Sequence, residues 1–253
     1  MNLRRNSFRL AIGIWLLALG TALAAPSDDF KAANQLYDTG KFAEAVAAYE
    51  KIEPKTSAVC YNLGNALFRE GKLGEAVLMY ERARRLTPRD PDILANLKFA
   101  EQRLGVDEVN TPPRALQRYL NSAIASRTVS EWSAYELGTL WLMMLAVAGF
   151  IYIPRSRTAS LVIAMVSLLG FSVSTFALGY QVINDRTAPR AVVVVRETEA
   201  RFAPVIDSTV HFKLAEGSTV AVREDRGQWL FVERVDGQQG WVTSEAVGRV
   251  GSF

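Results

Sequence analysis

The sequence predicts a multi-domain chain in three parts: an all-α helical repeat stack, a two-helix transmembrane hairpin and a small all-β barrel. Three observations predict it. One pattern occurs twice without a gap, as "NQLYDTGKFAEAVAAYEKIEP" and "NALFREGKLGEAVLMYERARRLTP". Two uncharged apolar runs, "LGTLWLMMLAVAGFIYI" and "TASLVIAMVSLLGFSVSTFALGYQVI", flank the short turn "PRSR". Beyond them, short β-branched runs alternate with Glu216–Gly217, Arg226–Gly227 and Asp236–Gly237. These are, in order, the signatures of a repeat array, of membrane spans and of strands joined by tight turns.

The first element is a leader. "MNLRRNSFRL" carries Arg4, Arg5 and Arg9, and "AIGIWLLALGTALAA" comes next. A basic start, a short apolar stretch and an Ala-x-Ala ending predict a signal peptide over residues 1–25. An uncleaved anchor is the alternative, but residues 10–25 would reach only about 24 Å as a helix, against roughly 30 Å of hydrocarbon. Either way, the residues after the leader lie outside the cytoplasm, because the basic end stays in. A net charge of +3 over 253 residues gives no basic footprint, so nucleic acid is not an expected partner. The single cysteine, Cys60, excludes an intrachain disulfide and sits at a core-facing helical position.

The repeat stack is expected over residues 26–105. Gly40 aligns with Gly71, Lys41 with Lys72, Glu44–Ala45–Val46 with Glu75–Ala76–Val77, and Tyr49 with Tyr80. In the second copy, Leu63, Gly64, Leu67, Ala76, Tyr80, Ala83 and Pro88 stand at the small and large positions of two crossing helices. This pattern resembles the tetratricopeptide (TPR) repeat. The first copy departs from it: Pro54 ends its second helix early, and Ala33 replaces the usual glycine. "PDILANLKFAEQRLG" repeats Ile93, Leu94, Leu97 and Leu104 at helical spacing with no second helix after it, as a capping helix would. Stacks of this family bind extended peptides along the groove of their first helices. The resemblance implies groove-facing residues Asn34, Tyr37, Asn62, Asn65, Phe68, Arg69, Asn96, Phe99 and Arg103; a plain solvated face is the competing reading. Asp92 and Asn96 stand where a carboxylate clamp needs cations, which speaks against capture of a C-terminal carboxylate.

Residues 106–131 form a linker. After Pro112 and Pro113, residues Leu116, Tyr119, Leu120, Ala123 and Ile124 share one helical face, with Arg114, Arg118 and Arg127 beside it. That fits an interfacial helix or one packed on the stack. Spans are expected at 132–153 and 158–183, with Ser130 as N-cap and Trp132 and Tyr135 at interfacial depth. A buried soluble hairpin would need a larger core than the chain offers. The turn 154–157, with Arg155 and Arg157, suits the cytoplasmic side, so both soluble parts face out.

The barrel, residues 188–248, is expected to have five or six strands, including "AVVVV", "TVAVRE", "WLFVERV" and "GWVTSEA". "ARFAP", "LAEGSTVAV" and "GQWLFVERVDGQQGWV" resemble the bacterial SH3 (SH3b) domain. Trp229 and Trp241 are read as barrel core, or else Phe202 and Trp229 rim a shallow cleft. Some SH3b modules bind cell-wall peptides, which makes peptidoglycan a candidate ligand.

No catalytic residue and no metal ligand set is expected. His211 is the sole histidine and lies in a strand, without a nucleophile elbow, a Cys/His cluster or a glycine-rich phosphate loop. No cofactor is implied. The whole order of parts resembles the BatE-type membrane proteins of bacterial aerotolerance (Bat) operons. That resemblance implies a two-pass inner-membrane protein with its soluble modules in the periplasm. It also implies protein partners among other Bat products, the von Willebrand A-type membrane proteins and, indirectly, a MoxR-type ATPase. The expected function is a non-enzymatic scaffold in an aerotolerance or envelope-stress complex, or alternatively a cell-wall sensor or hydrolase regulator acting through the barrel.

Overall fold

A computed structural model describes residues 27–106, 123–187 and 189–251, excepting the side chains of 184–187. The leader and most of the linker, including Leu116, Tyr119 and Leu120, lie outside the described residues. The stack consists of α1 (Asp28–Asp38), α2 (Phe42–Glu50), α3 (Ser57–Glu70), α4 (Leu73–Leu86) and α5 (Pro91–Leu104). The starts of α1, α3 and α5 are set by side-chain caps: Ser27, Thr56 and Asp90 accept from the backbone N–H of Phe30, Val59 and Ile93. Gly71 and Gly105 end α3 and α5 in the left-handed conformation. Tyr49 and Tyr80 fill the space between the helices of each pair, at 1% and 2% exposure. A Cβ on Gly64 would stand 2.7 Å from the Tyr80 ring, so the close crossing needs that glycine.

The hairpin joins α6 (Val129–Tyr152) to α7 (Arg157–Thr187) through a 3-10 turn at Pro154–Ser156. Both helices are long and apolar enough to cross a membrane. The N-cap of α6 is Thr128, not the expected Ser130: Thr128 and Glu131 form a reciprocal capping box that fixes the start two residues earlier. Along the seam, Ala146, Ser160, Ser167, Ser174 and Ala177 are buried, while Leu145, Met165 and Leu169 point outward. Thr175 donates to the Glu136 carboxylate across the seam at 2.8 Å. Small and polar residues inside with large apolar ones outside is the reverse of a water-soluble helical pair, and suits a lipid surround.

The C-terminal part is an antiparallel sheet of seven strands: β1 (Arg190–Val193), β2 (Glu197–Arg201), β3 (Val210–Ala215), β4 (Thr219–Asp225), β5 (Trp229–Arg234), β6 (Gln239–Thr243) and β7 (Val247–Arg249). Their order is β3-β2-β6-β5-β4-β1-β7. This exceeds the expected five or six strands. The charged β2 buries only Ala200, and β7 has three residues, so neither carries a strong apolar alternation. Ala200, Leu214, Val220, Leu230, Val242 and Val247 share one core, which means that the sheet curls until its two ends enclose the same interior.

The two soluble parts are packed together. Helix α4 lies against β1 and β7. Alternation along β1 sends Ala191 and Val193 into the sheet's interior, whereas Val192 joins the core of the helical stack with Val77 and Leu78. Burying a valine this fully contributes about 1.5–3 kcal/mol. Close approach depends on glycine: a Cβ at Gly74 would stand 2.9 Å from the Val193 carbonyl oxygen, and one at Gly248 would collide with Leu78. Polar contacts fix the docking. Arg82 donates twice to the Arg249 carbonyl, from Nε at 3.2 Å and Nη2 at 2.8 Å. The Gly74 N–H donates to Glu216 at 2.7 Å, giving α4 the N-terminal acceptor that its own sequence lacks. On the hairpin side, Arg89 pairs with Glu131, and Gln181 Nε2 donates to the Arg127 carbonyl at 2.8 Å.

Candidate partner-binding groove

The first helices α1, α3 and α5 are crossed by a ladder of four asparagines. Asn34 Oδ1 accepts from the Tyr49 hydroxyl at 2.5 Å and from Asn62 Nδ2 at 3.0 Å. The next rung repeats the arrangement: Asn65 Oδ1 accepts from the Tyr80 hydroxyl at 2.8 Å and from Asn96 Nδ2 at 2.8 Å. Asn96 Nδ2 also donates to the Tyr61 hydroxyl at 3.0 Å. Asn34 and Asn65 occupy one repeat position, and Asn62 and Asn96 another. Each rung therefore joins different positions of successive helices.

The buried tyrosines set the direction of this ladder. Burial pushes the Tyr49 phenol up to about 12, with the Asn62 side chain opposing in part, and burial raises the Tyr80 phenol as well. Both stay protonated and donate, so the oxygens of Asn34 and Asn65 turn inward. Among the described residues, no assigned bond uses Nδ2 of Asn34 or Asn65, or Oδ1 of Asn62 or Asn96. These two donors and two acceptors match what an extended peptide backbone presents.

The other expected groove residues divide. Phe68 and Phe99 form a ring pair with centroids 5.5 Å apart, and Phe99 is 53% exposed beside the ladder. Tyr37 instead packs edge-on against Phe42 at 5.4 Å, and Arg69 lies over the same ring at 4.6 Å. These two gather at the start of α2. Arg103 is exposed on the last turn of α5 and forms no ion pair among the described residues. Sequence reasoning missed Tyr49, Tyr61 and Tyr80 as members of this site. The signal was their hydroxyl groups, because a tyrosine in a core position needs a polar partner.

On the sheet, Phe202 and Trp229 form no ring contact among the described residues. Trp229 stands opposite Thr243 on β6, whereas Phe202 follows Arg201, which faces Trp241 from the other side of β6. Phe202 is 61% exposed and stacks on His211 at 4.3 Å. His211 Nδ1 lies 3.0 Å from the Gln239 carbonyl. Of Trp229 and Trp241, both read as barrel core, only Trp241 is buried, on the strand face opposite the inward Val242; Trp229 is half-buried opposite Leu230 and Val232. Trp241 lies beneath Arg226 and against Phe231. Among the described residues, no group of three or more metal-binding side chains is assembled. Burial raises the Cys60 thiol.

Residues 57–90, which span α3 and α4 and the turn toward α5, match the family model of the tetratricopeptide repeat. No curated protein matches the chain.

Proposed function

We propose, from the tetratricopeptide repeat at 57–90 and the ladder that crosses it, a membrane-anchored, non-enzymatic scaffold. The groove holds an extended segment of a protein partner, and the hairpin keeps that event at a membrane. The observation that carries this reading is the set of outward amide groups on Asn34, Asn62, Asn65 and Asn96, oriented by buried tyrosines. A solvated face would need no such fixed orientation.

The hairpin reading is supported by the docking of α4 on β1 and β7, since a contact across a bilayer is impossible and two spans return the chain to its starting side. The finer reading is a two-pass inner-membrane protein with both modules in the periplasm, working in a Bat-type complex beside von Willebrand A-type membrane proteins and a MoxR-type ATPase. It rests on the resemblance of the module order. The test of groove binding is recovery of crosslinked partners from intact cells with Asn62→Ala and Asn96→Ala variants. Recovery should fall at least fivefold, about 1 kcal/mol, while the protein stays folded; undiminished recovery would remove the groove from the account.

A second reading has one observation in its favour: the exposed Phe202, stacked on His211, is an apolar platform on the sheet. A wall-binding, SH3b-like module would use such a platform on peptidoglycan. Retention of the full-length protein on purified peptidoglycan, lost in Phe202→Ala, would establish it; absence of retention would exclude it.

A further inference from the structure

The position of the groove relative to the hairpin narrows the partner. Ser57 Oγ donates to the Ala83 carbonyl at 3.2 Å, which sets the start of α3 beside the end of α4. Arg69 on the last turn of α3 lies over Phe42, just past the end of α1, so the two helices run the same way and α1 begins at that same end. Helix α5 begins there too, just after Arg89, whose partner Glu131 lies in the first turn of α6. All three groove helices thus start at the end of the stack that touches the hairpin.

Short connections tie the stack to that end. Helix α7 runs unbroken to Thr187 and β1 begins at Arg190, with Val192 already inside the helical core. Asn62 and Asn96 each lie five residues from the start of their helices, and Phe99 lies eight. At 1.5 Å per residue these side chains stand only about 8–12 Å above the hairpin end of the stack. The groove therefore opens toward the end of the stack from which the spans leave. An extended chain leaving the membrane climbs that height in about four residues.

Charges of both signs lie at each end of the groove helices, with Lys31 paired to Asp28 at the hairpin end. Asp28 and Asp29 lie at the hairpin end of α1 and Asp92 at that of α5, whereas Arg69 and Arg103 lie on the far turns of α3 and α5. Three carboxylates also sit at the far end: Glu70 is paired with Lys72 at 3.2 Å, Asp38 closes α1, and Glu101 shares the last turn of α5 with Arg103. Arg103 is exposed one turn beyond Phe99.

We infer that the groove takes the extended segment directly adjoining a transmembrane helix of a second membrane protein, with an acidic side chain of that segment at Arg103. This rests on the groove-binding and membrane-hairpin readings given above. The test places a photo-crosslinking residue, p-benzoylphenylalanine, at position 99 of the full-length protein in its native membrane, with position 44 on α2 as the control. Crosslinked peptides are mapped by mass spectrometry. Crosslinks from position 99 should fall within about ten residues of a partner's span, and Arg103→Gln should lower their yield about two- to fivefold, as for an exposed ion pair. Crosslinks to a soluble protein, or far from any span, overturn the inference and leave groove binding standing. An unchanged yield in Arg103→Gln overturns the acidic contact. No crosslink above the position 44 control defeats groove binding itself.

Discussion

Replacing Asn65 by alanine separates the core role of the ladder from its outward role. Asn65 Oδ1 accepts from the Tyr80 hydroxyl at 2.8 Å, and Tyr80 is 2% exposed. Alanine leaves that hydroxyl buried without its acceptor, which costs about 1–3 kcal/mol. Asn96 is different: it donates to Asn65 Oδ1, which still holds Tyr80 after Asn96→Ala, so that change should cost about 0.5–1.5 kcal/mol. A double-mutant cycle isolates the contact. With Tyr80→Phe in place no hydroxyl remains to strand, and Asn65→Ala should then cost less by about 1 kcal/mol or more. Urea denaturation of the purified full-length protein in detergent, followed by tyrosine fluorescence and hydrogen exchange in α3 and α4, gives the numbers. Equal costs for Asn65→Ala with and without the Tyr80→Phe change would refute the role of Tyr80 in setting the direction of the amide.

Two further outcomes rest on particular contacts. The Tyr49 phenol titrates at about 12 in the folded protein against an ordinary value of 10.0, so its contribution is fully present below pH 10 and is lost as pH rises toward 12. Comparing thermal unfolding of the native protein and Tyr49→Phe over pH 9–12 should show a steeper decline in the native protein; parallel curves would contradict the burial of that hydroxyl. Gly248→Val would drive side-chain atoms into Leu78, at a cost of about 1–3 kcal/mol to the docked state. Hydrogen exchange of α4 and of β7 should then rise together. A response confined to β7 would show that the two parts are not energetically joined.

The parts of this fold that are legible in the sequence are those written by periodicity. The paired Gly40/Gly71 and Tyr49/Tyr80 positions expose the repeat, and uncharged length exposes the two apolar helices. Contact between distant segments stays hidden. "AVVVV" reads as one strand of an independent barrel, yet its unbroken apolar run reflects burial on both faces, one against the sheet's interior and one against α4. Gly74 and Gly248 likewise look like ordinary helix and strand residues, because a close approach leaves no local pattern. At the groove, the asparagines are visible by motif position, but the direction of their amides depends on Tyr49 and Tyr80 hydroxyls in other helices. Phe202 and Trp229 sit on opposite sides of β6, because strand spacing along the chain does not give register across it.

The central claim is that stack and sheet work together on the outer side of a membrane crossed twice by the hairpin. Single cysteines at Glu44, Glu224 and Ser156, each in a Cys60→Ser background, can be probed with a membrane-impermeant maleimide in spheroplasts. The account predicts that positions 44 and 224 label at once, whereas position 156 labels only after lysis. Labelling of 44 and 224 from opposite sides, or of 156 before lysis, would contradict it.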